Sequence, residues 1–145
     1  MRVIVVGVDG SGQGRACSRA LLLAVSLVED LSDAQLVVAH ARYVPFLWSP
    51  KHVAEAEFSD LLDGAEEYVR EMAQGELGGR DLEWMIEVRE GEPAQVLREI
   101  ARDFDASFLV VGRRGWSVAE ELLLGSEPST PTTIIRMNLF PSVHR

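Results

Sequence analysis

The chain has 145 residues, of which 47% are hydrophobic and 26% charged, a balance typical of one globular domain. Its formal net charge of −9 opposes binding to phosphate backbones and anionic membranes, so neither nucleic acid nor a membrane is an expected partner. No apolar run approaches the roughly 18 residues of a membrane span, and the first strand follows Met1 directly, so we expect a cytoplasmic protein. Because Cys17 is the only cysteine, we expect neither an intrachain disulfide nor a zinc site.

The first half of the chain predicts strands and helices in alternation. Val3 to Val8 is a continuous apolar run, typical of a strand buried on both faces. From Gly14 to Asp30 the apolar positions recur every three and four residues, which predicts a helix packed on the sheet. Leu36 to Ala41 is a second apolar run, and its connection through a helix predicts parallel pairing with the first. After a proline-punctuated loop from Tyr43 to Pro50, a second amphipathic helix runs to the glycines near Gly75.

The second half continues the alternation. Apolar residues at every second position from Leu82 to Val88 predict a half-exposed strand at an edge of the sheet. Pro93 opens a third helix in its first turn, where the missing N–H costs nothing, and Phe108 to Val111 is the fourth strand. This order has no internal break, so it predicts one α/β domain over residues 1–145, built on a doubly wound open sheet.

A pattern of glycines follows the fourth strand. Gly112-Arg113-Arg114-Gly115 ends that strand, and after nine further residues come Gly125 and Ser126. Glycines let backbone N–H groups approach a bound anion closely, a following helix N-terminus adds partial positive charge, and the serine adds a hydroxyl donor. In an open α/β sheet of strand order 3-2-1-4-5, small molecules bind beyond the carboxyl ends of strands one and four. Asp9 ends strand one, so a carboxylate and a phosphate loop would face each other across one crevice.

Three features together resemble the universal stress protein family of UspA-like domains. They are the pattern Gly112-x2-Gly115-x9-Gly125-Ser126, the run Val8-Asp9-Gly10-Ser11, and Gly91-Glu92-Pro93 before the third helix. The elements occur in the family's order from Val3 to about Ser126, and in this family the glycine pattern marks members that bind ATP. The resemblance implies a Rossmann-like, adenine nucleotide alpha hydrolase-like fold: an open parallel five-stranded sheet of order 3-2-1-4-5 with helices on both faces. It also implies ATP with Mg²⁺ in the crevice, a homodimer, and a role in stress or energy-state responses.

The resemblance further implies which residues contact the nucleotide. By position, Asp9 matches the family's acidic residue near the ribose and adenine, and Ala41 matches the residue at the end of strand two whose backbone borders the base. Arg114 matches a frequently basic loop position and, beside Arg113, would place positive charge near the phosphates. The phosphate and ribose loop is matched by four residues: Gly112, Gly115, Gly125 and Ser126.

The chain departs from the family after Ser126. There the family runs into a helix and then an apolar fifth strand, whereas here the segment Glu127 to Thr133 intervenes, and Pro131 disfavours a continuous helix. The end, Pro141 to Arg145, is a short polar substitute for the fifth strand. Because that strand is the family's common pairing edge, the departure leaves open both the usual dimer and the placing of Ser126.

Other nucleotide enzymes fit the sequence poorly. The glycines near the first helix do not match the dinucleotide-binding pattern G-x-G-x-x-G, because Arg15 occupies the position of its third glycine. Strand two ends in His40-Ala41 and lacks the acidic residue that dehydrogenases carry there. A dehydrogenase is therefore not expected. No P-loop motif occurs, and Lys51 is the only lysine. No residue of the expected pocket is clearly placed to activate a water, so we expect binding without fast turnover.

Three functions stay open. The leading hypothesis is a nucleotide-binding sensor whose conformation or partner affinity responds to ATP. The first alternative is an interaction module that keeps the fold without nucleotide, as the insertion at Glu127 to Thr133 would allow. The second is a slow ATPase, in which Mg²⁺ and Asp9 orient a water.

Overall fold

The computed structural model describes residues 2–8, 14–43, 55–112 and 132–136. The elements in chain order are β1 (Arg2–Gly7), α1 (Gly14–Asp30), β2 (Ala34–Arg42), α2 (Glu55–Leu77), β3 (Glu83–Glu90), α3 (Pro93–Asp103), β4 (Phe108–Gly112) and β5 (Thr132–Arg136). The alternation of strands and helices predicted from hydrophobic periodicity is confirmed through β4. Within the described part of the chain, no helix is long and apolar enough to cross a membrane.

The strands form one sheet of order β3-β2-β1-β4-β5. β1 pairs in parallel with β2 on one side and with β4 on the other, and β2 pairs in parallel with β3. The α/β class and the order of these four strands are therefore as predicted, with β3 at an edge. The chain winds outward from β1 to β3 and then returns to place β4 on the opposite side of β1, so the winding direction reverses between β1 and β4.

The fifth strand departs from the predicted parallel sheet. β5 pairs antiparallel with β4, and its first residue, Thr132, lies opposite Gly112 at the end of β4. The chain thus re-enters the sheet at the end where β4 leaves it, whereas parallel pairing needs a crossover to the other end. The prolines of the intervening sequence oppose the continuous helix that such a crossover would use. Parallel pairing is therefore correct for four strands and wrong for β5, and residues 141–145, expected to substitute for this strand, lie outside the described residues.

Two apolar layers cover the two faces of the sheet. The layer against α1 and α2 includes buried strand residues and buried helix residues: Ile4, Val6, Leu36, Val38, Ala20, Leu21, Ala24, Val69, Ala73 and Leu77. The layer against α3 includes Val3, Val5, Val37, Ala39, Val96, Leu97, Ile100, Ala101, Leu109 and Val111. Successive residues of β1 and β2 alternate between the layers, as the period of two in a strand requires. Helices on both faces, as predicted, explain why these strands are apolar throughout.

Candidate functional site

The carboxyl ends of β1 and β4 lie side by side at one edge of the sheet. Gly7, the last residue of β1, is paired with Val111, one residue before the end of β4. Because the two strands are parallel, the chain leaves both at the same edge, and it does so where the winding direction reverses. Small molecules bind at this position in open α/β sheets, so this edge is the candidate site.

Two of the predicted contact residues are described, and both lie at this edge. Ala41 is half-buried near the end of β2 and packs against the apolar layer of α3. Gly112 is the last residue of β4 and pairs with Thr132. The two positions are in strands on either side of β1. The other five predicted residues lie outside the described part of the chain: Asp9, Arg114, Gly115, Gly125 and Ser126.

Gly7 permits close packing beneath the candidate site. A Cβ atom at this position would lie 2.8 Å from Cδ1 of Leu97 and 3.4 Å from Cγ1 of Val111. Real Cβ atoms do not approach other carbons as closely as the first distance, so the buried Leu97 side chain would have to move if residue 7 carried a side chain. The glycine at the end of β1 thus lets α3 pack directly beside the edge where the candidate site lies.

His40 is a buried polar residue that the sequence reading did not single out. Its side chain, next to Ala41 in β2, is 4% exposed. Nδ1 lies 3.0 Å from the carbonyl oxygen of Val8. A carbonyl only accepts hydrogen bonds, so Nδ1 is the donor of this bond. Nε2 is buried, and it has no hydrogen-bond partner among the residues that the structure describes. The sequence offered one indication of its importance, since His40 is the one ionisable residue in the apolar run from Leu36 to Ala41.

An ion-pair network ties the end of β2 to α2. Nη1 of Arg42 donates to Oδ1 of Asp63 at 2.9 Å and to Oε1 of Glu66 at 2.8 Å. Nη2 of Arg70, one helical turn further along α2, donates to the other oxygen of Glu66 at 2.9 Å. The hydrogen bond to Asp63 is the largest cause that raises the pKa of Arg42. The hydrogen bond from Arg70, followed by that from Arg42, lowers the pKa of the Glu66 carboxyl. The residue that follows Ala41 is thus anchored to a helix.

The run Gly91-Glu92-Pro93 forms the turn from β3 into α3. Gly91 has a φ of 141°, which residues with a side chain rarely adopt, and its N–H donates to the carbonyl oxygen of Arg42 at 3.1 Å. The carbonyl of Glu92 accepts the N–H of Val96, and Pro93 occupies the first turn of the helix. This run therefore serves backbone geometry, and it holds the end of β2 from its outer side.

The described residues contain no group of three or more His, Cys, Asp or Glu side chains able to hold a metal ion. An open groove of about 450 Å³ lies at the opposite end of the strands, beside the amino ends of β1 and β2. It is lined by Arg2, Asp30, Leu31, Ser32 and Asp33. None of the residues predicted to contact the nucleotide lines this groove. The candidate site therefore remains the edge formed by the carboxyl ends.

The fold defines a doubly wound α/β domain, and the candidate site lies at its switch point. The family model described as "Universal stress protein family" matches residues 1–130. The chain therefore belongs to the universal stress protein family, as the glycine pattern indicated.

Individual relatives agree with this membership. A universal stress protein of Methanothermobacter thermautotrophicus is 34% identical over 85 residues, which are 57% of this chain and 57% of that protein. The chain thus matches a little over half the length of this curated relative. A solved structure from the universal stress protein family of Burkholderia pseudomallei has a TM-score of 0.65 and 30% identity, over 84% of this chain and 87% of that one. A family protein of Arabidopsis thaliana, solved with AMP bound, has a TM-score of 0.62 and 17% identity over 88% of each chain, and shows the shared fold.

Proposed function

We propose that this domain binds an adenine nucleotide, ATP with Mg²⁺, beyond the carboxyl ends of β1 and β4, and that occupancy regulates its affinity for a protein partner in a stress or energy-state response. One observation carries this proposal: the pairing of Gly7 with Val111 brings the ends of β1 and β4 to the same edge. In the sequence, Asp9 follows the first end and the pattern Gly112-x2-Gly115-x9-Gly125-Ser126 follows the second.

The described residues fit a nucleotide at this edge. Gly112 bears no side chain where β4 ends, and Ala41 bears only a methyl group, so no larger side chain of these two residues stands between their backbone and a ligand. The relative from Arabidopsis thaliana was solved with AMP bound, although its 17% identity supports the fold alone. Nucleotide binding here is therefore argued from this chain's own residues.

Each predicted residue receives a role under this proposal. The carboxylate of Asp9 accepts hydrogen bonds from the ribose or adenine, and the backbone of Ala41 borders the base. Backbone N–H groups of the loop bind the phosphates, Ser126 adds a hydroxyl donor, and Arg114 adds positive charge. Mg²⁺ would arrive with the nucleotide and neutralise part of the triphosphate charge. We assign these roles to a cytoplasmic protein, and to a homodimer that uses β5, which is an edge strand.

Binding without fast turnover fits these residues best. Glycines, a serine and an arginine around the phosphates supply hydrogen-bond donors and charge, and none of them is a general base for an attacking water. A sensor needs occupancy to follow nucleotide concentration, and slow or absent hydrolysis allows that. Slow hydrolysis through Asp9 would be visible as phosphate release that collapses in Asp9→Asn.

The loop glycines provide the test. A variant with Gly115→Leu and Gly125→Leu fills the space that backbone N–H groups need, so we expect it to lose ATP in isothermal titration while keeping its helical circular dichroism. The matched control replaces Gly64 and Gly75 with alanine, because a Cβ at either position meets no atom within 4 Å. We expect this control to bind as the original chain does. Unchanged affinity in the leucine variant would refute the assignment of the site.

One observation favours a second function, that of an interaction module without nucleotide. β5 is antiparallel, and two prolines precede it, so the sequence after Ser126 does not follow the family's course. A module of this kind would carry no adenine after purification and would show no thermal shift with ATP. Acid extraction followed by absorbance at the adenine maximum distinguishes the two functions.

A further inference from the structure

His40 is the one buried polar or charged residue among those that the structure describes. It lies in β2 between Ala39 and Ala41, and the alternation of a strand puts it on the same face as Leu36 and Val38, toward the layer of α1 and α2. A polar ring in this layer must find partners inside the protein. Its one described partner is the end of β1.

The imidazole binds Val8, the residue that follows the last paired residue of β1. The register of the two strands ends at Gly7 opposite Ala39. Val8 then donates its N–H to the carbonyl oxygen of Ala39 at 2.9 Å and accepts the Nδ1–H of His40 on its own carbonyl oxygen at 3.0 Å. Both backbone polar groups of Val8 are thus fixed by β2, one by backbone and one by the imidazole.

Stability alone does not account for an imidazole here. Among the described residues Nε2 is buried without a partner, and an unpaired buried polar atom costs at least as much free energy as one hydrogen bond of the Nδ1 type returns. A leucine would fill a similar volume in an apolar layer without leaving an unpaired polar atom. The benefit of His40 must therefore lie in the geometry that its hydrogen bond imposes.

We propose that His40 is a positioning residue of the nucleotide site, which fixes the carboxyl end of β1 relative to that of β2. This inference rests on the proposed function. Val8 immediately precedes Asp9, and His40 immediately precedes Ala41, so one side-chain hydrogen bond sets the separation of the two segments assigned to the ribose and the base. β2 provides a fixed reference, because Arg42 is bound to Asp63 and Glu66 of α2.

Three substitutions separate the hydrogen bond from the packing. In His40→Asn the amide nitrogen stands one bond from Cγ, as Nδ1 does, so it can still donate to Val8. In His40→Gln the amide stands near the place of Nε2 and leaves the Val8 carbonyl without this donor, and His40→Leu removes all polarity. We expect the glutamine and leucine variants to bind ATP about tenfold more weakly, the effect of one lost hydrogen bond. We expect the asparagine variant to bind within about twofold of the original chain. All affinities are to be compared at a temperature below the thermal transition of every variant, so that loss of binding is not loss of fold.

Amide hydrogen exchange of the nucleotide-free protein gives a second readout. The Val8 N–H should exchange faster in the leucine and glutamine variants and at the original rate in the asparagine variant, since the end of β1 opens locally when its carbonyl is released. This measurement does not require nucleotide, so it tests the hydrogen bond to Val8 separately from ATP binding. If the original chain bound no nucleotide, both the proposed function and the role of His40 in the site would be refuted. Full affinity in a folded leucine or glutamine variant would overturn the inference while leaving the proposed function in place. Equal loss in the asparagine variant would also overturn it, because Nε2 and not the bond to Val8 would then matter.

Discussion

Replacing Gly91 by alanine should destabilise the domain, because the turn from β3 to α3 requires glycine. The φ of 141° lies in a region that residues with a Cβ rarely adopt, and the strain of such a residue is about 1–3 kcal/mol. The new Cβ would also lie 3.1 Å from Cγ2 of Val96, which is only 2% exposed and cannot move into solvent. Reduced freedom of the unfolded chain offsets about 0.4–1 kcal/mol of this cost. The net loss is therefore expected at about 1–2 kcal/mol.

Gly64→Ala is the matched control, with the opposite expected sign. Gly64 lies within α2, and a Cβ there would meet no atom within 4 Å. Alanine stabilises a helix interior by about 0.8–1.0 kcal/mol relative to glycine. Urea unfolding at neutral pH should thus move the midpoint down for Gly91→Ala and up for Gly64→Ala. An unchanged or raised midpoint for Gly91→Ala would refute the conformational reasoning for Gly91.

Three further predictions concern packing and charge. Gly7→Ala should lower the free energy of unfolding by about 1–3 kcal/mol, since its Cβ would stand 2.8 Å from Leu97, and an unchanged urea midpoint would contradict this. Ile100→Ala should cost about 2–5 kcal/mol in the same assay, because the fully buried side chain leaves a cavity between α3 and the sheet. Glu66→Gln should cost no more than about 1 kcal/mol at pH 7, given that the side chain is partly exposed. The pKa of Glu66 is lowered in the folded state, so its stabilisation is present above pH 4.5 and fades as pH falls through the folded-state value. The stability gap between the variant and the original chain should therefore narrow progressively as the pH falls below 4.5, and a gap that stays constant would contradict the lowered pKa.

The elements that could be predicted from the sequence are those whose pattern of apolar residues directly reflects which of their faces are buried. The continuous apolar run of β1 and the alternation in β3 follow directly from a central and an edge strand, and both appear where predicted. In α3 the buried residues include Val96, Leu97 and Ile100, whose spacing of three and four residues puts them on one face of the helix. Helical connections of ordinary length then made parallel pairing of the first four strands predictable.

The direction of β5 could not be predicted by the same reasoning. Whether a strand pairs parallel or antiparallel depends on the end of the sheet at which the chain re-enters, and the proline-containing segment before Thr132 has no periodicity that fixes this. The prolines indicated only that the family's helix was interrupted. Tertiary pairing with β4 decided the outcome.

At the candidate site, only the arrangement of the strands can be compared with the prediction. The predicted strand order puts the ends of β1 and β4 side by side, and the pairing of Gly7 with Val111 confirms that order. That a ligand binds there stays a prediction. His40 was missed because its significance depends on Val8, a residue 32 positions away in the sequence. The contacts assigned to Asp9 and to the loop after Gly112 stay predictions.

Isothermal titration of the purified chain with ATP and Mg²⁺, after acid extraction to remove and identify any nucleotide already bound, tests the central claim most directly. We predict an adenine nucleotide in the extract, or saturable heat corresponding to one nucleotide per chain. A folded protein with a cooperative thermal transition, no extracted nucleotide and no heat would contradict the claim, and would leave the interaction module as the function of this fold.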